Sequence, residues 1–189
     1  MVAMMLPSAS PLLLLYSAIV RRQVPAAVAA GRVHAMALAY AAVWLLFSVA
    51  AAALQRLLSD LFIITPMLEP RSRLTSALLL VVAGLYQLTP LKERCLRSCS
   101  APVQFITSHW REGAAGAFRM GVAHGLYCVG CCWALMLLLF AGGVMNLFVI
   151  AALTLFVLVE KILPVGRWGS RVSGALMLGA AAWIYARGL

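Results

Sequence analysis

The chain has 189 residues, of which 65% are apolar and only 11% are charged, and its mean hydropathy is +1.00. A soluble domain usually carries about 25% charged residues, so this chain has too few charges to coat a soluble surface or to remain disordered. The composition excludes a globular cytoplasmic enzyme and predicts an integral membrane protein with the lipid bilayer as its surroundings.

The net charge of +10 comes from fifteen Lys and Arg residues against five Asp and Glu residues. The basic residues are not gathered into one patch. They lie in short groups between long apolar runs, as in proteins that cross a membrane several times. Nucleic acid is therefore not an expected partner.

Six apolar runs have about the length that a spanning helix needs, roughly 17–25 residues. In chain order they are Val2–Val20, Ala35–Leu58, Leu74–Leu88, Ala114–Phe140, Val144–Val159 and Val172–Ala186. Pro7 and Pro11 are expected to break the first run, and Ala141-Gly142-Gly143 should form a tight turn between the fourth and the fifth. The runs predict one all-α transmembrane domain over residues 1–189 with about six spans, or five if the first does not cross.

The basic residues are distributed unequally between the two sides of such a bundle. Only Arg56, Arg71, Arg73 and Arg187 fall on one side, and the other eleven of the fifteen follow the first, third and fifth runs. By the positive-inside rule these loops face the cytoplasm, which predicts a multi-pass protein of a bacterial inner membrane. Residues 91–113 then form a cytoplasmic juxtamembrane loop, and Thr89-Pro90-Leu91-Lys92 predicts that it begins as a helix.

Sulfur and imidazole side chains concentrate in the fourth run. On a helix, His124, Cys128 and Cys131 share one narrow face, and Cys132 lies on its flank. At 1.5 Å per residue, Cys128 lies about 13 Å from Arg119, near the middle of a bilayer core. Thiolate and imidazole are the ligands of soft and borderline ions such as Cu(I) and Zn(II), so this face predicts a buried metal site that another segment completes.

The expected second segment contains Cys95 and Cys99, which are neighbours on a helix because they are four residues apart. Three cations nearby, Lys92, Arg94 and Arg97, are expected to lower the pKa of these thiols and to favour thiolate. Further candidate ligands are Met120, His109, Met4 and Met5.

Polar side chains inside apolar runs are costly in lipid and are often functional. Gln87, Tyr86 and Asn146 are expected to form hydrogen bonds between helices. Glu160 and Lys161 are expected to pair with each other at the membrane interface, with a proton-relay role for Glu160 as the alternative.

Three longer motifs carry a family resemblance: GLYQLTPLK over residues 84–92, CLxxC over residues 95–99, and HGLYCxGCCWALM over residues 124–136. Shorter ones are AMMLP from Ala3, GVMNL from Gly143 and EKxxP from Glu160. Together they resemble a bacterial family of predicted metal-binding integral membrane proteins of unknown function, over nearly the whole chain. The resemblance implies metal binding without a reaction. Members often have more apolar sequence before the Met-Met-Leu-Pro run, so the resemblance implies that this chain lacks part of the amino end found in those members.

Three functions remain open at this point. The first is binding of a soft metal, Cu(I) before Zn(II), in metal handling or delivery to a metal chaperone or a membrane complex. The second is a membrane thiol–disulfide oxidoreductase that uses the Cys128–Cys131 pair; against it, cytoplasmic thiols stay reduced. The third is a structural subunit of a larger membrane complex, with the thiols as packing. No catalytic residue is assigned, because the sequence contains no known nucleophile or cofactor motif.

Overall fold

The computed structural model describes residues 2–60, 73–142, 146–162 and 166–186. These residues form eight α-helices and no strand, which confirms the all-α class. In chain order the helices are α1 (Val2–Val20), α2 (Ala26–Asp60), α3 (Arg73–Gln87), α4 (Pro90–Ser100), α5 (Pro102–His109), α6 (Gly113–Gly142), α7 (Leu147–Ile162) and α8 (Gly166–Ala186).

Helix α1 runs through both of its prolines, so the expected break at Pro7 and Pro11 is wrong. Proline has no N–H, so Pro11 leaves the carbonyl of Pro7 without its usual helical donor. The Ser10 hydroxyl, 2.8 Å from that carbonyl oxygen, donates the missing hydrogen bond. A side-chain donor thus lets the helix continue.

Several helices extend beyond the apolar runs that predicted them. Helix α2 begins at Ala26, so Arg32 and His34 lie in the helix and not in the expected loop. Helix α8 begins at Gly166. Helix α6 continues through Ala141 and Gly142, which were expected in a turn; Gly143 lies outside the described residues. Hydropathy locates the apolar middle of a helix and does not determine where the helix begins or ends.

The segment expected as a juxtamembrane loop is built mainly from α4 and α5. Thr89 is the N-cap of α4, and its hydroxyl accepts a hydrogen bond from the backbone N–H of Lys92 at 3.3 Å. Pro90 occupies the first turn, where the missing N–H is harmless. The helix predicted from the Thr89-Pro90 pair is therefore present.

Helix α6 lies at the centre of the fold and contacts α2, α3, α4 and α7. Helix α2 approaches it most closely at Gly121, where an added Cβ would lie 2.3 Å from the carbonyl oxygen of Met36. Helices α3 and α8 meet through Gly84 and Gly174, where an added Cβ would lie 3.0–3.1 Å from the opposite glycine's carbonyl oxygen. Glycine at these positions allows the helix backbones to approach closely.

Among the residues that the structure describes, two helices are long and apolar enough to cross a membrane, with qualifying stretches at Ala26–Leu57 and Gly113–Leu139. Shorter apolar helices occur at Met4–Val20 and Ser76–Gln87. Length and composition do not distinguish a spanning helix from the core helix of a soluble protein. The structure therefore supports a helical bundle with an apolar centre, and six membrane spans are not confirmed.

Candidate functional site

Four cysteines from two helices meet in the core of the bundle: Cys99 on α4 and Cys128, Cys131 and Cys132 on α6. Their exposed fractions are 7%, 0%, 1% and 1%, respectively. The Cys131 sulfur lies 3.2 Å from that of Cys132 and 3.9 Å from that of Cys99. Cys128 interacts with the other three thiols, and all four are free. We call these four residues the thiol cluster.

The close approach of α4 to α6 depends on Gly130. An added Cβ at Gly130 would lie only 2.8 Å from the Cys95 sulfur, so Cys95 packs directly against the α6 backbone. The Tyr86 hydroxyl of α3 donates a hydrogen bond to the Gly130 carbonyl, and its ring meets the edge of Trp133. Cys95 is half-buried and, within the described part of the chain, forms no hydrogen bond with another thiol.

The expected lowering of the Cys95 pKa by neighbouring cations is wrong, because burial raises the pKa of this thiol. Two of the three cations have other partners. Arg97 pairs with Glu93 on the surface of α4, and Lys92 points away toward α7. Cys95 is therefore a neutral thiol that lies next to the thiol cluster.

Lys161 of α7 reaches into the thiol cluster. Its Nζ lies 2.9 Å from the Cys128 sulfur and 3.0 Å from the Ser8 hydroxyl oxygen, and the residue is only 6% exposed. An ammonium at this distance supplies the counter-charge that a buried thiolate needs. The same thiol lies 3.1 Å from the Tyr40 hydroxyl, which also donates to the Met5 carbonyl.

The expected Glu160–Lys161 pair does not form. Glu160 instead accepts from Lys92 of α4 at 2.5 Å and from the Ser170 hydroxyl of α8 at 3.0 Å. Adjacent residues on a helix point about 100° apart, so Glu160 and Lys161 face different neighbours. Glu160 thereby joins α4, α7 and α8 beside the thiol cluster.

The candidate ligands on the other side of Cys128 form a separate group. His124 is 2% exposed and contacts the rings of Tyr40 and Phe105, and its Nδ1 has no hydrogen-bond partner among the described residues. His109 ends α5, stacks on Phe105 and lines a cleft with Met120. Met120 itself is almost fully buried.

The remaining candidate residues lie in different parts of the structure, and not all of them are near the thiol cluster. Met5 is fully buried in the core cluster that contains the four thiols, and Met4 packs against that cluster. Gln87 is buried, and neither its oxygen nor its nitrogen finds a partner in the described residues. Within the described part of the chain, Asn146 forms no hydrogen bond to another helix. It caps α7 by accepting from the N–H groups of Phe148 and Val149 at 3.0 and 3.4 Å.

Lys161, Tyr40 and Ser8 are the site residues that sequence reasoning missed. Ser8 and Tyr40 lie in two different apolar runs, and neither run indicates that these hydroxyl groups point into the core. The sequence contained one indication of Lys161, because a lysine at the end of a long apolar run can be buried where a negatively charged group lies next to its ammonium. Because Glu160 is adjacent in sequence, Lys161 was expected to pair with Glu160 and not with the thiols.

The geometry of the thiols permits two-sulfur coordination. Within residues 2–60, 73–142, 146–162 and 166–186, no group of three or more His, Cys, Asp or Glu side chains is arranged to hold a metal ion. Two sulfurs that share an ion through bonds of about 2.3 Å lie about 3.8 Å apart at a tetrahedral angle. The 3.9 Å between Cys99 and Cys131 has this size, whereas the 3.2 Å between Cys131 and Cys132 is shorter. The sulfurs of Cys99 and Cys131 are thus spaced like two ligands of one such ion without rearrangement of the backbone.

Comparison with known proteins places the chain in a family. No curated protein and no solved structure matches the chain. The model of the PpoB2 family, described as a copper chaperone, matches residues 1–184. This match agrees with the metal-handling role expected from the sequence and indicates a role in copper handling. The chain belongs to the PpoB2 family of copper chaperones.

Proposed function

We propose that the protein binds Cu(I) through the thiol cluster and delivers it to a copper-requiring partner. The observation that carries the proposal is the convergence of four buried, free thiols from α4 and α6. Soft thiolates select Cu(I). Structural Zn(II) sites almost always have four ligands, and the described residues offer pairs, so the arrangement favours Cu(I).

In this proposal Cys128 and Cys131 hold the ion. The Lys161 ammonium favours the thiolate of Cys128, and Cys131 is one turn away on the same helix. Cys99 lies 3.9 Å from Cys131 and belongs to a different helix, so it is placed to take over one coordination position. Exchange of one thiolate for another moves Cu(I) without any change of oxidation state.

The cleft at His109 is the proposed entrance. It is lined by His109, Arg111, Arg119, Met120 and Ala123. Met120 and His124 lie two turns and one turn before Cys128 on α6, respectively. A soft ion that enters here meets a thioether and an imidazole before the first thiolate, and the two arginines favour arrival as an anionic thiolate complex.

We also propose that the bundle lies in the bacterial inner membrane, with the loops after the first, third and fifth apolar runs in the cytoplasm. Large apolar side chains are exposed on several helices, among them Leu38, Leu46, Leu126 and Leu176 at 60–71%. Such a surface suits lipid and not water. Because Cys99 contacts the middle of α6, the loop after the third run would not lie wholly in the cytoplasm: α4 and α5 would enter the membrane from its cytoplasmic side, where irregular backbone must be covered by protein or line a water-filled cleft.

The membrane proposal is tested with a single reactive thiol in the turn after α1. A Gln23→Cys variant of a chain that lacks its five native cysteines is expressed in a bacterial host. We expect the chain to stay in the membrane pellet after an alkaline wash and the introduced thiol to react only with a reagent that reaches the cytoplasm. Release by the wash, or labelling from outside, would contradict the proposed placement.

Copper binding is tested by titration with Cu(I) under anaerobic, reducing conditions against a chromophoric Cu(I) chelator. We expect one Cu(I) per chain and recovery of all five thiols after the copper is removed. Failure to compete with the chelator would refute the proposal. Loss of two thiols per turnover with a quinone, without copper uptake, would favour the oxidoreductase instead.

A further inference from the structure

We propose that Lys161 makes the thiol cluster selective for a monovalent ion, because its buried ammonium is the fixed counter-charge of a two-thiolate Cu(I) complex. This inference rests on the proposed function and names the residue that determines its metal specificity. Lys161 is not proposed as a ligand of the ion.

The Lys161 ammonium contacts a thiol of the cluster and a hydroxyl group, and no carboxylate among the described residues neutralises its charge. The Nζ atom lies 2.9 Å from the Cys128 sulfur and 3.0 Å from the Ser8 oxygen. Ser8 donates its own proton to the Met5 carbonyl at 2.8 Å, so its oxygen is free to accept from the ammonium. Among the described residues, Lys161 forms no ion pair with a carboxylate, since the neighbouring Glu160 is held by Lys92.

The apolar surroundings of the thiol cluster favour a total charge of zero for the thiolates, the Lys161 ammonium and the bound ion. Cys128, Cys131 and Cys132 are at most 1% exposed, and a net charge in such an apolar interior is strongly disfavoured. Without copper, one ammonium and one thiolate sum to zero. With copper, two thiolates and one Cu(I) carry a charge of −1, which the ammonium again cancels.

A divalent ion does not fit this balance. Zn(II) on the same two thiolates is neutral by itself, so the ammonium would leave a buried charge of +1. Zn(II) would need a third thiolate, from Cys99 or Cys132, to restore neutrality. Starting from one thiolate, this requires the loss of two thiol protons in the core, whereas Cu(I) requires the loss of only one. Lys161 therefore favours Cu(I) and disfavours Zn(II) at the same pair of sulfurs.

The test compares Cu(I) and Zn(II) dissociation constants for the full chain and for three Lys161 variants. Lys161→Met removes the charge and keeps an unbranched apolar chain in the same space. Lys161→Gln is a second neutral variant that can still bond to Ser8. Lys161→Arg keeps the charge and is the matched control. Circular dichroism verifies that each variant retains its helices.

We expect both neutral variants to bind Cu(I) about tenfold or more weakly and to shift the Cu(I)-to-Zn(II) preference toward zinc. Lys161→Arg should keep the wild-type preference. An unchanged preference in whichever neutral variant folds would overturn the inference while leaving copper binding intact. Absence of Cu(I) binding by the wild-type chain would instead refute the proposed function itself.

Discussion

Replacing Lys92 with methionine should lower the free energy of unfolding by about 3–5 kcal/mol, the usual cost of removing one partner of a buried ion pair. The Lys92 and Glu160 side chains are only 1% and 6% exposed. The variant would leave the Glu160 carboxylate in the core with the Ser170 hydroxyl as its remaining hydrogen-bond donor among the described residues. The loss should be large because a buried carboxylate cannot recover its hydration.

The measurement is a denaturant titration of the purified protein followed by circular dichroism. The double variant Lys92→Met/Glu160→Gln removes both charges and should recover much of the lost stability, which a double-mutant cycle reveals as a coupling energy. Arg97→Met is the control, since it breaks the exposed pair with Glu93 and should cost at most about 1 kcal/mol. Equal losses in Lys92→Met and Arg97→Met would show that the buried pair does not stabilise the fold.

The double variant Cys128→Ser/Cys131→Ser should bind no Cu(I) under conditions in which the wild-type chain binds one ion. Serine is close to cysteine in size, so the packing around α6 changes little. Its hydroxyl oxygen is a hard and largely protonated ligand, which Cu(I) does not prefer. Copper content per chain after gel filtration, measured by mass spectrometry, gives the result.

Cys95→Ser is the matched control for this pair. Cys95 packs against Gly130 beside the cluster and is not one of its four thiols. We expect the control to keep the wild-type copper content, whereas Cys99→Ser should keep the ion but slow its transfer to an acceptor chelator. Equal copper in the wild-type chain and in the Cys128/Cys131 double variant would refute the assignment.

The sequence was informative about the helices because apolar runs and local caps determine them. All six runs correspond to helices, and Thr89 with Pro90 correctly predicted the start of α4. Helix ends and the continuity of α1 were not predictable from hydropathy. They depend on individual hydrogen bonds, such as that of Ser10 to the Pro7 carbonyl.

The site was only partly predictable because it joins segments that are distant in sequence. Helical spacing placed Cys128 and Cys131 on one face, and the structure brings Cys99 to the same place. The pairing of Glu160 with Lys92, 68 positions away, could not be read from a chain in which Lys161 is adjacent. Because Glu160 pairs with Lys92, Lys161 is directed instead to the Cys128 sulfur and the Ser8 hydroxyl.

The most direct test of copper coordination by the thiol cluster is X-ray absorption at the copper edge on the loaded wild-type protein. We predict an edge typical of Cu(I) and a first shell of two sulfur atoms. The spectrum should be absent from the Cys128→Ser/Cys131→Ser variant. A shell dominated by nitrogen or oxygen, or an edge typical of Cu(II), would contradict thiolate binding of Cu(I) at this site.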